Sequence, residues 1–217
     1  MRKLALTALL AIGLAVPAFG FSGTVNKHGD LDGDSYKELV YTAQVDLQGV
    51  DTEFDPTVIN VNDRCSSGDF VDERISGRQD NVVFLKLRKI DTRKGNEVFF
   101  DMRSGAAARQ GEARVVAWRK HSGPTCRKAR DLFKYRTTHP THAPSGTNGE
   151  VSNFDVKVRE RAHRFRGKEV VLSEVFTRPG DPLCCGTVRK LSYWRYSRAR
   201  DKYVRYKTKI QRKHTGG

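Results

Sequence analysis

The strongest constraint on how this chain can fold is an apolar alternation of period two that recurs along almost its whole length. It runs through Glu38–Leu47, Thr57–Val61, Val82–Ile90, Glu97–Met102, Ala113–Arg119, Leu132–Arg136, Val151–Arg159, Val170–Phe176, Val188–Tyr196 and Tyr203–Ile210. Successive side chains of a strand point to opposite faces, so this period sends one row to a core and the other to water. Val, Phe, Tyr and Trp dominate these segments, as pleated, half-buried surfaces favour. Turn formers punctuate them at Gly33, Gly49, Gly77, Lys94-Gly95, Gly105, Gly123-Pro124 and Arg178-Pro179-Gly180. Only Ala106–Gln110 reads as a helical turn. The expectation is a mainly β protein of antiparallel sheets. Its hydrophobic content of 37% suits a folded chain better than a disordered one.

Thr137–Gly149 breaks the pattern, being poor in apolar residues and rich in Thr, Pro and Gly. It reads as a linker or long loop between a β domain over 21–136 and a second β unit over 150–217. His139 and His142 lie in it at i, i+3 with no third ligand nearby in sequence, which favours a solvated loop over a metal pair. A faint repeat flanks it. Val115-Val116, Gly123-Pro124-Thr125-Cys126 and Leu132–Arg136 are followed in the same order by Val170-Val171, Gly180–Cys185 and Leu191–Tyr196. Two copies of one β unit, or two similar hairpins, account for it equally well.

The N-terminus reads as an export signal. Arg2 and Lys3 precede an apolar run from Leu4 to Val16, and Ala18-Phe19-Gly20 supplies small residues for cleavage before Phe21. The run is shorter than the roughly 20 apolar residues needed to span a bilayer. Residues 1–20 are therefore expected to be removed, leaving a secreted, periplasmic or envelope protein. No Cys follows the apolar run, which argues against lipid attachment. The four cysteines Cys65, Cys126, Cys184 and Cys185 are expected to form disulfides in that oxidising space. A bond between adjacent Cys184 and Cys185 is awkward, because neighbouring Cα atoms lie about 3.8 Å apart. Two arrangements stand open: Cys65 and Cys126 each joined to one of the doublet, or Cys65 joined to Cys126 with the doublet closed on itself. The spacings do not match a structural zinc site.

Charge is unevenly spread. The chain carries +15 overall, yet residues 21–80 are net acidic and everything from Asn81 onward is strongly basic. A basic exported protein meets polyanions such as extracellular nucleic acid, teichoic acid and anionic lipid headgroups, although the same charge also keeps a surface soluble.

The sharpest motif is Asp30-Leu31-Asp32-Gly33-Asp34-Ser35-Tyr36-Lys37-Glu38-Leu39-Val40. Carboxylates of Asp30, Asp32, Asp34 and Glu38, with the Tyr36 carbonyl, can converge on one cation when the backbone curls. Ca²⁺ takes six to eight such hard oxygens. Ser35 and Tyr41 replace the Gly and Glu of an EF-hand, and a strand follows where an EF-hand has a helix. The alternative is an acidic turn in which Asp side chains bond their own backbone. The Asp-x-Asp-Gly-Asp-x-x-x-Glu-Leu-Val run into a strand resembles the Ca²⁺ loop of FG-GAP (integrin α-type) repeats of exported bacterial proteins. The resemblance covers one copy and implies a Ca²⁺ cofactor, with Ser35 standing where Gly is usual.

Phe176-Thr177-Arg178-Pro179-Gly180-Asp181-Pro182-Leu183-Cys184-Cys185, followed by Tyr193-Trp194-Arg195-Tyr196, is similar to the Gly-Asp-Pro-x-Cys-Cys signature of mycobacterial LppP/LprE-type lipoproteins and related exported proteins. Those also tend to carry an Asp-x-Asp-Gly-Asp loop near the mature N-terminus. Here Gly186 replaces their usual Pro and the lipid-bearing Cys is absent. The resemblance bears on fold and location more than on activity.

The C-terminal segment interleaves aromatic and basic residues, among them Tyr193, Arg195, Arg198, Arg200, Tyr203, Arg205, Lys207 and Lys209. As a hairpin turning near Ser197–Asp201, it would gather Tyr203, Arg205, Lys207 and Lys209 on one face. Rings and cations together are the equipment of single-strand nucleic-acid binding. The structural alternative is an edge ribbon with a core face and a solvated face. Arg159, Arg161, Arg164, Arg166 and Lys168 form a further basic run. No Gly-x-Ser-x-Gly, His-Glu-x-x-His or Gly-rich phosphate loop occurs. The sequence therefore favours an exported, non-catalytic, Ca²⁺-stabilised binding or structural protein. The alternatives are a binder of an extracellular or envelope polyanion and a secreted hydrolase.

Overall fold

A computed structural model of the chain describes residues 25–44, 57–64, 70–76, 82–104, 110–120, 127–159, 168–182 and 185–212. Every regular element among them is a strand: β1 (Asn26–Gly29), β2 (Glu38–Gln44), β3 (Thr57–Arg64), β4 (Phe70–Arg74), β5 (Val82–Arg88), β6 (Glu97–Ser104), β7 (Gln110–Lys120), β8 (Arg127–Arg136), β9 (Val151–Arg159), β10 (Glu169–Phe176), β11 (Val188–Ser197) and β12 (Lys202–Arg212). They form three antiparallel sheets of four strands each, every sheet a meander of consecutive strands. The four-stranded meander is also the unit that β-propellers repeat.

The second sheet (β5–β8) lies between the other two. Its Leu85, Val98, Phe100, Met102, Val116 and Trp118 share one core with Leu31, Val40, Ile59, Val61 and Ile75 of the first sheet. Its Phe99, Ala113, Val115, Ala117, Leu132, Phe133 and Tyr135 share another with Val151, Phe154, Val156, Val170, Leu172, Phe176, Val188 and Tyr203 of the third. This explains the unbroken apolar run Val98-Phe99-Phe100, since a strand buried on both faces needs no polar row. Burying one such side chain stabilises by about 1.5–3 kcal/mol.

The ten expected strands are all present, β9 with the expected bounds and the others with different ends, except that residues 45–47 of the first lie outside the described residues. β1 and β4 are additional. β1 reads Asn-Lys-His-Gly and is largely exposed at a sheet edge, so it has no apolar row to detect. β4 is five residues long, too short for the alternation to stand out. Gln110 opens β7 and does not continue a helical turn; residues 106–109 lie outside the described residues. So do residues 1–20, Cys65, Cys126 and Cys184, leaving Cys185 as the described cysteine.

The described strands fall into three meanders, and of the two accounts of the faint repeat the similar hairpins fit them better. That repeat superimposes β7–β8 on β10–β11, which hold different places in their meanders. The repeat that the fold displays is shorter. Lys37-Glu38-Leu39-Val40, Asn96-Glu97-Val98-Phe99 and Lys168-Glu169-Val170-Val171 each open the second strand of a meander. Their glutamates are 0%, 1% and 2% exposed, which is rare for Glu unless it is partnered. Asn96 N–H donates to the Asp30 carbonyl at 2.8 Å, and Lys168 N–H donates to the Ile90 carbonyl at 2.8 Å. The β1–β2 and β5–β6 turns are thus each tied to the residue that precedes the second strand of the following meander.

The segment 137–149 joins the second sheet to the third and is docked on both. Thr137 N–H donates to the Gly111 carbonyl at 3.1 Å and Asn148 N–H to the Thr177 carbonyl at 2.8 Å. Thr141 donates through its N–H to buried Glu174 at 3.0 Å. The ammonium of buried Lys190 donates to Thr141 Oγ1 at 2.7 Å and to the His142 carbonyl. His139 and His142 are exposed.

Candidate metal centre

The β1–β2 turn curls through a series of side-chain caps. Asp30 accepts from Gly33 N–H at 2.5 Å and from Ser35 N–H at 3.1 Å. Asp32 accepts from Asp34 N–H at 3.0 Å, and Asp34 from Tyr36 N–H at 2.8 Å. Glu38 reaches back from the start of β2 and accepts from Leu31 N–H at 2.5 Å. Gly33 has φ +83 and Ser35 φ +75, so the turn needs two left-handed residues and one of them carries a Cβ. The β5–β6 turn presses against it. A Cβ on Gly95 would stand 2.4 Å from the Leu31 carbonyl oxygen, so that position admits only glycine.

The expected ligands divide. Asp30, Asp32 and Glu38 each place a carboxylate oxygen within 4.8 Å of the others, the one such group among the described residues. Oxygens around Ca²⁺ at about 2.3–2.6 Å stand up to roughly 5 Å apart, so the three fit one coordination sphere. Asp34 is exposed and stays outside the group, spent on the Tyr36 amide. Tyr36 has a 40% exposed side chain.

Glu38 is the informative member. It is fully buried, one oxygen takes the Leu31 amide, and the other, Oε1, has no hydrogen-bond partner. Burial pushes its carboxyl up to about 7, with Asp63 and Asp34 adding to the rise and the Leu31 amide opposing it. A cation is already near: Arg127 of β8 pairs with Asp32. Its guanidinium is lowered by burial and held up by Asp30.

The β5–β6 turn is a second version with different charges. Glu97 accepts from Ile90 N–H at 2.6 Å and Asp91 N–H at 3.2 Å, as Glu38 does from Leu31. Arg119 pairs with Asp91 and stands 3.9 Å from Glu97 and 3.9 Å from Asp201. Asp201 also meets Arg93 at 3.3 Å and Arg130 at 3.3 Å. Here Arg119 pairs with buried Asp91, and Arg93, Arg119 and Arg130 surround Asp201. Sequence reading missed this knot because its members come from four separate segments.

The basic hairpin forms as expected, with its turn between Ser197 and Lys202, but its residues do not share one face. Tyr203 is 4% exposed, lies in the core and donates its hydroxyl to the Lys168 carbonyl at 2.9 Å. A register shift pairs Trp194 with Arg205 and Tyr193 with Lys207. The bulged residue, Tyr206, re-aims the strand. Arg205 accordingly lies over core-facing Trp194, while Lys207 and Lys209 join Tyr193 and Leu191 on the opposite, outer face. Arg198 and Arg200 are exposed at the hairpin tip.

In the Gly-Asp-Pro segment, Asp181 accepts from Arg178 N–H at 2.8 Å, Thr187 N–H at 3.2 Å and Thr187 Oγ1 at 2.8 Å. These bonds hold its carboxyl below the usual range. A Cβ on Gly186 would stand 2.4 Å from the Phe176 carbonyl oxygen, which leaves that position to glycine. Compared with known proteins, the chain matches no family model, no curated protein and no solved structure.

Proposed function

We propose that this is an exported, non-catalytic β protein with a binding or structural role, whose first meander is closed by Ca²⁺. The observation that carries this reading is the buried, unpartnered Oε1 of Glu38 beside the carboxylates of Asp30 and Asp32. An orphaned buried carboxylate oxygen is costly, and a hard cation at that point would satisfy it. Asp30, Asp32 and Glu38 would hold the ion. Ca²⁺ would supply positive charge there and carry out no reaction. Because the β5–β6 turn is tied to Asp30 by Asn96, closing the loop would stiffen the contact between the first and second sheets. Export fits the same reading, since loops of modest affinity fill at the Ca²⁺ levels outside cells and cysteines can pair there. The FG-GAP resemblance points the same way.

The test is thermal unfolding of the mature chain in millimolar Ca²⁺ against a chelator. Ca²⁺ is expected to raise the midpoint by several degrees, through mass action on the folded state. Glu38→Gln should lose that response. A wild-type midpoint indifferent to Ca²⁺ would assign the neutralising role to Arg127 and overturn the proposal.

A further inference from the structure

The outer face of the third sheet carries a cationic lattice around a half-buried apolar strip. Its residues register across the strands as Lys157–Val171–Tyr193–Lys207, Asp155–Ser173–Leu191–Lys209 and Asn153–Val175–Arg189–Gln211. Arg159 stands opposite Glu169 at one end. Lys157, Arg159, Arg189, Lys207 and Lys209 are exposed. The acids on this face are already paired: Asp155 with Lys157 at 3.2 Å, and Glu169 with Arg159 at 2.6 Å. Arg189, Lys207 and Lys209 have no carboxylate partner among the described residues. Val171, Val175 and Leu191 belong to neither core. They floor a depression of about 290 Å³ with Asn153, Asp155 and Arg189.

The hairpin rings are committed. Tyr203 is buried, Trp194 packs on Phe133 at 5.4 Å, and Tyr196 donates to Asp201. Tyr206 donates to Glu169, and Arg159 and Lys207 lie over the Tyr193 ring at 5.4 Å and 5.7 Å. Stacking of bases, which nucleic-acid binders need, has no open ring here. Charge remains. Cations two residues apart on a strand stand about 6.8 Å apart, which suits a chain with regularly repeated anions.

We infer that this face binds a linear polymer of phosphate anions without bases, by charge alone and independently of the Ca²⁺ loop. The test is titration of the full mature protein with inorganic polyphosphate and with oligo(dT), across a salt series, in chelator and in Ca²⁺. The expected result is polyphosphate binding that weakens steeply with salt in both conditions. Lys207→Glu with Lys209→Glu should weaken it at least tenfold, and so should Arg189→Glu on β11, which leaves the edge strand intact. Lys27→Glu with Lys128→Glu, of equal charge change but outside the third sheet, should alter it less than threefold. Equal losses in both sets would reduce the effect to net charge and overturn the site. Oligo(dT) binding tenfold tighter at equal phosphate would make the face a nucleic-acid interface instead. Absence of polyphosphate binding at low salt would end the proposal. Loss of the Ca²⁺ melting response with polyphosphate binding retained would sink only the metal reading.

Discussion

Ser35 sits at φ +75 in the acidic turn, where a side chain costs about 1 kcal/mol relative to glycine. Its amide caps Asp30 at 3.1 Å, a bond that glycine would keep. Ser35→Gly is therefore expected to raise the unfolding midpoint, by up to about 1 kcal/mol of stability, and to tighten Ca²⁺ binding; calorimetric titration and melting measure both. The neighbouring spacing was legible because carboxylates at alternate positions are chemistry written in one short segment. The arginine at Asp32 was not, because Arg127 reaches it from a distant strand. Asp34 looked equivalent to its neighbours in sequence. Only the path of the backbone sends its carboxylate to the Tyr36 amide and leaves the other three carboxylates together.

At the scale of elements, the two successive turns share one design, a buried glutamate reaching back to the turn amides and an arginine paired with a turn aspartate. Glu97 is 1% exposed and accepts two backbone amides. Its carboxyl is pushed up to about 7, by burial first and Asp91 second. Asp91, Arg119 and Tyr203 are the ionisable groups facing it. A carboxyl whose folded pKa exceeds its unfolded value stabilises fully below the unfolded value near 4.5 and loses that contribution as pH rises to about 7. Glu97→Gln keeps an acceptor and stays neutral. Its stability relative to wild type should therefore improve between pH 5 and pH 7.5, by up to roughly 3 kcal/mol, read from urea midpoints at the two pH values. Strand existence was legible from alternation, but the bulge at Tyr206 was not. One inserted residue exchanges faces, which is why Tyr203 and Lys207 parted although their spacing suggested a common side.

For the whole molecule, the second sheet serves two cores and so couples the other two. Phe100 is fully buried between the first and second sheets. Phe100→Ala is expected to cost about 3–5 kcal/mol. Because Phe99, its chain neighbour, anchors the other core, the loss should lower a single cooperative transition. Urea unfolding followed by tryptophan fluorescence and by far-ultraviolet circular dichroism tests this; Trp118 and Trp194 lie in different cores and report on both. Two separated transitions would show that the sheets fold independently.

Period-two alternation, turn chemistry and the clustered carboxylates are local properties. A residue's own neighbours decide them, so the sequence by itself determined an antiparallel β protein with an acidic turn before its second described strand. The number of sheets, the burial of Glu38, Glu97 and Glu169, and the division of the basic hairpin between core and surface depend on which distant strands meet. Only the tertiary structure decided those, because burial and electrostatic partnership belong to pairs of segments whose approach no single segment encodes.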